Sequence, residues 1–364
     1  MFFDRFPFSD EGDFQQIITT RYDANLTSVT RSRDADGKKI IIVHSNWGHK
    51  ALEPQDSGYA FPRGQDIKDI REHTSVDSKP DFTTERTTYV VLNEDDLNRA
   101  TKDSIKKCVR VFEMRLLFIK QQYNRIQGGA EFFGFRKLDG YYEFLQQMLF
   151  KFLIGNDLEY SPAAELPGFV TDQAGKSCKV RSVIGKTAYD VFSSVELDDI
   201  PFSINHLTKN ILGGLMASTP CDWTIYLNHT TSVMGDKSTF KTTERAVYNE
   251  AREWMAEQWK KDHGPSDEMK NCEVLLYNDN MEVVEGSITN IAVRKEIEGV
   301  STFITPRLTT GCLAGIMRYY LLKKDLIQEG DVSLADLEDG QELLIFNSVM
   351  GVKKAKLVML ENVP

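Results

Sequence analysis

The sequence predicts a mixed α/β (α+β) protein of two domains, and three observations carry that expectation. Its 364 residues, 41% hydrophobic and 27% charged, are enough to build two hydrophobic cores. Short runs rich in β-branched residues share the chain with stretches whose apolar residues recur at helical spacing, so both kinds of element are present. The acidic, proline-containing stretch Glu196-Leu197-Asp198-Asp199-Ile200-Pro201 interrupts both periods and reads as a linker. The expected boundaries are an amino-terminal domain over residues 1–196, a linker over 197–204 and a carboxyl-terminal domain over 205–364.

In chain order, residues 14–22 (containing QIITTRY) and 38–44 (KKIIIVH) read as strands. Otherwise the chain from about residue 24 to 95 is polar, with Gly, Pro and mixed charges, which predicts a loop-rich insertion. Ile105, Val109, Phe112, Leu116, Ile119 and Tyr123 then fall at alternating four- and three-residue steps, one face of a single long helix starting near Asp95 and ended by Gly128-Gly129. A second amphipathic helix is expected over 141–153, stopped by Gly155-Asn156, and strands over 179–184 and 188–195. Beyond the linker, 223–227 reads as a strand and 228–239 as a loop. Residues 242–261 read as a helix burying Ala251, Trp254 and Met255, closed by His263-Gly264-Pro265. Short strands follow at 273–277, 290–293, 302–305 and 342–346, with a helix over about 314–323 among them.

The net charge of −10 and the scattering of basic among acidic residues argue against nucleic acid as a main partner. Five widely spaced cysteines without a CxxC pair suit reduced thiols in a cytoplasmic protein. The first residues include Asp4 and Arg5 and lack a long apolar core, so no signal peptide is expected, and no uncharged apolar run is long enough to cross a membrane. No pair among the six histidines has metal-ligand spacing, so no metal is expected.

Three sites in the last third could carry chemistry. Lys241 lies just ahead of a helix, where its stem can pack while its amine points into a cleft. Glu285 ends the apolar pair Val283-Val284 and precedes Gly286-Ser287. Gly311 and Gly315 flank the start of a helix, whose free N–H groups and dipole suit an anion. Arg125, near the end of the first long helix, has a guanidinium able to grip a phosphate. Singly, each has a plainer explanation: a solvated lysine, a turn acid, a tight turn, an arginine complementing a helix dipole. Together they supply an amine, an acid and an anion cradle, the groups that pyridoxal phosphate needs.

The order and wording of FKTTERAVY (240–248), EGSITNIAV (285–293), TPRLTTGCLAGIMRYYLL (305–322) and LLIFNSVMG (343–351) resemble the fold-type IV pyridoxal-phosphate enzymes, the class IV aminotransferase family. Branched-chain aminotransferases, D-amino acid transaminases and 4-amino-4-deoxychorismate lyases belong to it, and the wording is most similar to the fungal lyases. The amino-terminal half resembles the family mainly at ITTRYD (18–23) and QQYNRI (121–126). The resemblance implies a smaller amino-terminal α/β domain and a larger carboxyl-terminal domain with a barrel-like sheet. It makes Lys241 the lysine that bonds the cofactor aldehyde and Glu285 the acid on the pyridine nitrogen. Arg125 and the backbone of Leu313, Ile316 and Met317 would hold the phosphate, with Ser348 and Val349 in a second phosphate loop. Arg21, Arg245 and Asn347 would meet the substrate. The implied reaction eliminates pyruvate from 4-amino-4-deoxychorismate to give 4-aminobenzoate for folate synthesis, in a homodimer. Ala246, where branched-chain aminotransferases carry tyrosine, favours the lyase. An aminotransferase of the same fold and a non-catalytic interaction protein remain the alternatives. The sequence departs from the family in the roughly hundred positions separating Arg21 from Arg125.

Overall fold

The structure is a computed structural model that describes residues 16–22, 27–33, 39–45, 87–93, 109, 113, 116–135, 140–154, 178–184, 189–196, 211–232, 234, 236–264 and 269–360. Its amino-terminal half contains strands β1 (Gln16–Tyr22), β2 (Thr27–Arg33), β3 (Lys39–Ser45) and β4 (Thr87–Asn93), helices α1 (Ile119–Phe133) and α2 (Tyr141–Ile154), and strands β5 (Cys178–Ile184) and β6 (Tyr189–Glu196). One three-stranded antiparallel sheet has the order β1-β5-β6, with Gln16 opposite Ile184 and Tyr22 opposite Cys178. α1 packs against β1 and α2 against β6.

The insertion does not read as expected. β2, β3 and β4 form a three-stranded antiparallel sheet of their own, so residues 24–95 are not loop-rich throughout. TSVTRSR sets Thr27, Val29 and Thr30 among polar and charged residues, which a sheet accepts but which lacks the apolar run that marks a strand by eye. The linker over 197–204 lies outside the described residues.

The single long helix is also corrected. Val109 and Glu113 are helical, but the chain turns at Leu116–Phe118 and Phe118 adopts a left-handed conformation (φ 57°). Leu117 and Phe118 are thereby turned into a buried cluster, with Phe118 and Tyr320 ring centroids 5.3 Å apart. Apolar residues continue on both sides of the turn, so periodicity alone cannot reveal it. Gly128-Gly129 lies inside α1, which ends at Gly134 in a left-handed cap.

Gly129 is there for packing: a Cβ would lie 1.9 Å from Gln16 Oε1 and 3.2 Å from Phe240 Cδ1. The missing side chain lets α1 approach β1 and the residue preceding Lys241. Gly129→Ala is expected to lower stability by about 1–3 kcal/mol, read as a fall in Tm, because the buried Gln16 side-chain amide must leave its place against the helix.

The carboxyl-terminal half runs β7 (Trp223–Leu227), α3 (Ala246–His263), β8 (Cys272–Tyr277), β9 (Val283–Gly286), β10 (Asn290–Ile297), β11 (Val300–Pro306), α4 (Ile316–Lys323), β12 (Gln328–Gly330), β13 (Glu342–Asn347) and β14 (Gly351–Val358). These strands form one eight-stranded sheet in the order β12-β11-β10-β13-β14-β7-β8-β9. Parallel pairing occurs at β14-β7, β7-β8 and β11-β12. β9, at one edge, reaches β10 and β11 near the other, so the sheet curls towards an open barrel.

Strict alternation sorts the side chains. Ile225, Leu227, Leu275, Tyr277, Leu343 and Ile345 face one buried cluster inside the curl. Tyr226, Val274 and Leu276 point outward against Tyr248, Ala251 and Met255 of α3. Leu344, Phe346 and Ala292 meet Ile316, Met317 and Leu321 of α4. The helices therefore cover the sheet's outer face, which holds the start of α3 and the start of α4 in place. Among the described residues no helix is long and apolar enough to cross a membrane.

Candidate active site

Lys241 and Glu285 line the same recess, between the segment leading into α3 and the end of β9. Ser238, Phe240, Arg245, Tyr248, Ser287, Ile288 and Leu313 complete most of its wall. Main-chain bonds position the lysine: Ile17 N–H donates to the Lys241 carbonyl at 2.6 Å, and Gln16 bridges Thr242. Strand β1 of the amino-terminal half thus reaches the residue that bears the amine.

Glu285 is 3% exposed. Burial pushes its carboxyl up to about 7, against the pull of its hydrogen bond from Tyr248, the Leu313 backbone and the charges of Arg245 and Lys241. Tyr248 Oη donates to Glu285 Oε1 at 2.7 Å and Asn290 Nδ2 to Oε2 at 3.2 Å. Asn290 Nδ2 also donates to the Leu313 carbonyl at 3.0 Å, tying the acid to the loop before α4. The Arg245 guanidinium lies 4.5 Å over the Tyr248 ring and donates to the Ser287 carbonyl. Burial lowers its pKa from the ordinary arginine value. Burial likewise pushes the nearby Cys312 thiol up to about 12, so it carries no thiolate at neutral pH.

At the other end, α4 begins with Gly315 as its cap, and Tyr319 N–H is the first to bond back, to the Gly315 carbonyl. The N–H groups of Ile316 and Met317 belong to the first turn, where a helix offers no intrahelical acceptor. Arg125 Nη1 donates to the Ala314 carbonyl at 3.3 Å, so α1 delivers its guanidinium to this loop. Burial lowers the Arg125 pKa to about 10. Ser238 Oγ donates to the Gly311 carbonyl at 2.5 Å and Ala314 N–H to the Thr239 carbonyl at 3.0 Å. The turn before the lysine and the loop before α4 are therefore stapled together. Arg318 points away, to the Pro306 carbonyl and Glu329, as a strut between α4 and the sheet edge.

The structure thus gathers Lys241, Glu285, Arg245 and Leu313 at the recess, with Arg125, Ile316 and Met317 beside it. Asn347, Ser348 and Val349 are not among the residues that line it. Asn347 Oδ1 accepts from Val349 and Met350 N–H, its Nδ2 donates to the carbonyl of recess-lining Ile288, and Ser348 Oγ donates to the Thr19 carbonyl. Arg21 lies on β1 opposite Lys179, and its side chain is outside the described residues. Among the described residues no cluster of three metal-ligating side chains occurs.

Sequence reading overlooked Tyr248, Asn290, Arg252 and Glu273. Arg245, Tyr248 and Arg252 are spaced three and four apart along α3, which puts them on one face towards the turn after Glu285. That spacing was a usable signal. Glu273 is wholly buried on β8, where an acid inside a fully buried strand is itself unusual.

Residues 214–358 match the model of the family described as amino-transferase class IV. The aminodeoxychorismate lyase of Saccharomyces cerevisiae is 29% identical over 270 residues, 69% of this chain and 70% of that protein. A Schizosaccharomyces pombe relative is 35% identical over 122 residues, 33% of this chain and 47% of its own length. Among solved structures, the branched-chain amino acid aminotransferase of Escherichia coli superposes with a TM-score of 0.41 at 12% identity, over 68% of this chain and 72% of that one. Lys241, Glu285 and the start of α4 all fall within this matched span, so the part of the chain that carries the recess is the part similar to the class IV aminotransferases.

Proposed function

We propose that this protein is a pyridoxal-phosphate-dependent 4-amino-4-deoxychorismate lyase, releasing pyruvate and 4-aminobenzoate. The observation that carries the reading is that Lys241 and Glu285, far apart in sequence, face one recess. The likeness to the yeast enzyme supports the choice of substrate. The residues suit the cofactor: a desolvated carboxyl near 7 with donors on both oxygens is completed by a basic ring nitrogen, and the α4 start with Arg125 suits a phosphate.

Pyridoxal phosphate, when bound, supplies an aldehyde that takes up an amine and a ring that withdraws electrons from the neighbouring carbon. The chain's own groups do the rest. Glu285 holds a proton at the ring nitrogen, and Tyr248 and Asn290 keep its two oxygens in place. Lys241 Nζ takes the proton from the amine-bearing ring carbon of the substrate and passes one to the departing three-carbon unit, which leaves as pyruvate. Arg245 grips a substrate carboxylate at the recess wall. Phe240, Ile288 and Leu313 limit water on the apolar side.

Purified protein loaded with pyridoxal phosphate is expected to convert 4-amino-4-deoxychorismate to equimolar 4-aminobenzoate and pyruvate with no 2-oxo acid present. Fluorescence of 4-aminobenzoate and coupled pyruvate detection give the two yields. Turnover that appears only on adding a 2-oxo acid would make the protein an aminotransferase instead.

A further inference from the structure

We propose that Glu273, which lies behind the recess wall and does not line it, is the positioning residue of the site, folding the Gly286–Thr289 turn against α3 so that Arg245 is held at a fixed place. Its carboxylate gathers one turn completely. Oε1 accepts from Val274 N–H at 2.9 Å, Ser287 N–H at 3.0 Å and Ser287 Oγ at 2.5 Å. Oε2 accepts from Ile288 N–H at 3.2 Å and Thr289 Oγ1 at 3.0 Å. Arg252 approaches the same carboxylate at 3.7 Å and donates to Ser287 Oγ at 2.9 Å, which joins the turn to α3.

Gly286 shows how closely the acid sits under the turn, since a Cβ there would be 2.4 Å from Thr289 Oγ1 and 2.9 Å from Glu273 Cδ. The glycine following Glu285 leaves room for Thr289 and Glu273 together. From this turn the constraint passes to the recess by contact: the Ser287 carbonyl accepts from Arg245, whose guanidinium covers Tyr248. A buried carboxylate with five donors is a rigid anchor, because withdrawing it orphans several buried polar groups at once, although Ser287 N–H keeps the Val274 carbonyl at 3.2 Å as a second acceptor. Glu285 is less dependent on it, being held by Asn290 and by its place in β9.

The kinetic part rests on the proposed lyase reading, whereas the structural part does not. Glu273→Gln preserves shape and presents an amide where two donors converge. In the cofactor-free protein the Arg245 Nη2–H that donates to the Ser287 carbonyl, followed by NMR and assigned with Arg245→Lys, is expected to exchange about tenfold faster or more, with the β13 amides unchanged. In the loaded enzyme KM for 4-amino-4-deoxychorismate should rise about tenfold while kcat falls less than about threefold. Thr289→Val, which removes one donor from an otherwise intact turn, should move both readouts in the same direction by about threefold. Unchanged Arg245 exchange overturns the proposal, as does faster exchange with an unchanged KM. Should the unsubstituted protein prove inactive, the lyase reading falls and the Arg245 exchange alone decides for or against Glu273.

Discussion

Replacing Lys241 by alanine is expected to lower kcat by about 10³-fold or more, because in the proposed reaction one nitrogen serves both as the point of attachment and as the proton carrier. The fold should survive. Lys241 is half-buried, and the bond that fixes its position comes from its main-chain carbonyl, which alanine retains. Borohydride treatment of the loaded parent should attach the cofactor irreversibly to the peptide containing residue 241, seen as a mass increment, and the variant should show none. Turnover near the parental rate in the variant would remove this lysine from the chemistry.

Glu285→Gln is expected to cost about 10²-fold in kcat, since an amide cannot hold a proton on a ring nitrogen as a carboxylate does. A second, independent consequence appears in the cofactor-free protein. Its Glu285 carboxyl titrates near 7 when folded and near 4.5 when unfolded, so the folded state binds the proton more tightly. Stability is then greatest below about 4.5 and declines as pH rises to about 7, by on the order of 3 kcal/mol. Tm measured from pH 4.5 to 7.5 should fall in the parent relative to Glu285→Gln. Parallel curves would show that the carboxyl is not desolvated.

The meeting of Lys241 and Glu285 at one recess was legible because the words around them are chemically particular. A lysine ahead of a helix and an acid followed by glycine keep their order in the chain, and the strands beneath them alternate cleanly enough to fix which side faces the recess. What surrounds the pair was not legible. The three- and four-residue steps of Arg245, Tyr248 and Arg252 put them on one helix face, but that this face meets Glu285 and the turn after it is decided by the fold. β9 is four residues long and wholly buried, so it offers no alternation to read. β14 hides behind Lys353 and Lys354, although Lys354 is 7% exposed and runs its stem along the sheet to Glu342 and the Ala217 carbonyl. The turn at Phe118 was invisible because tertiary packing of Leu117 and Phe118, against the apolar rhythm of the helix, decides it.

The link from residue 17 to residue 241 runs entirely through peptide groups. A contact of that kind leaves no imprint on composition, since every amino acid but proline offers the same donor. Amino-terminal sequences can therefore drift through many substitutions, and accept a whole extra sheet between β1 and α1, while the amine stays where it was. Such a clasp is mechanically silent: it holds the amine without asking for any particular side chain.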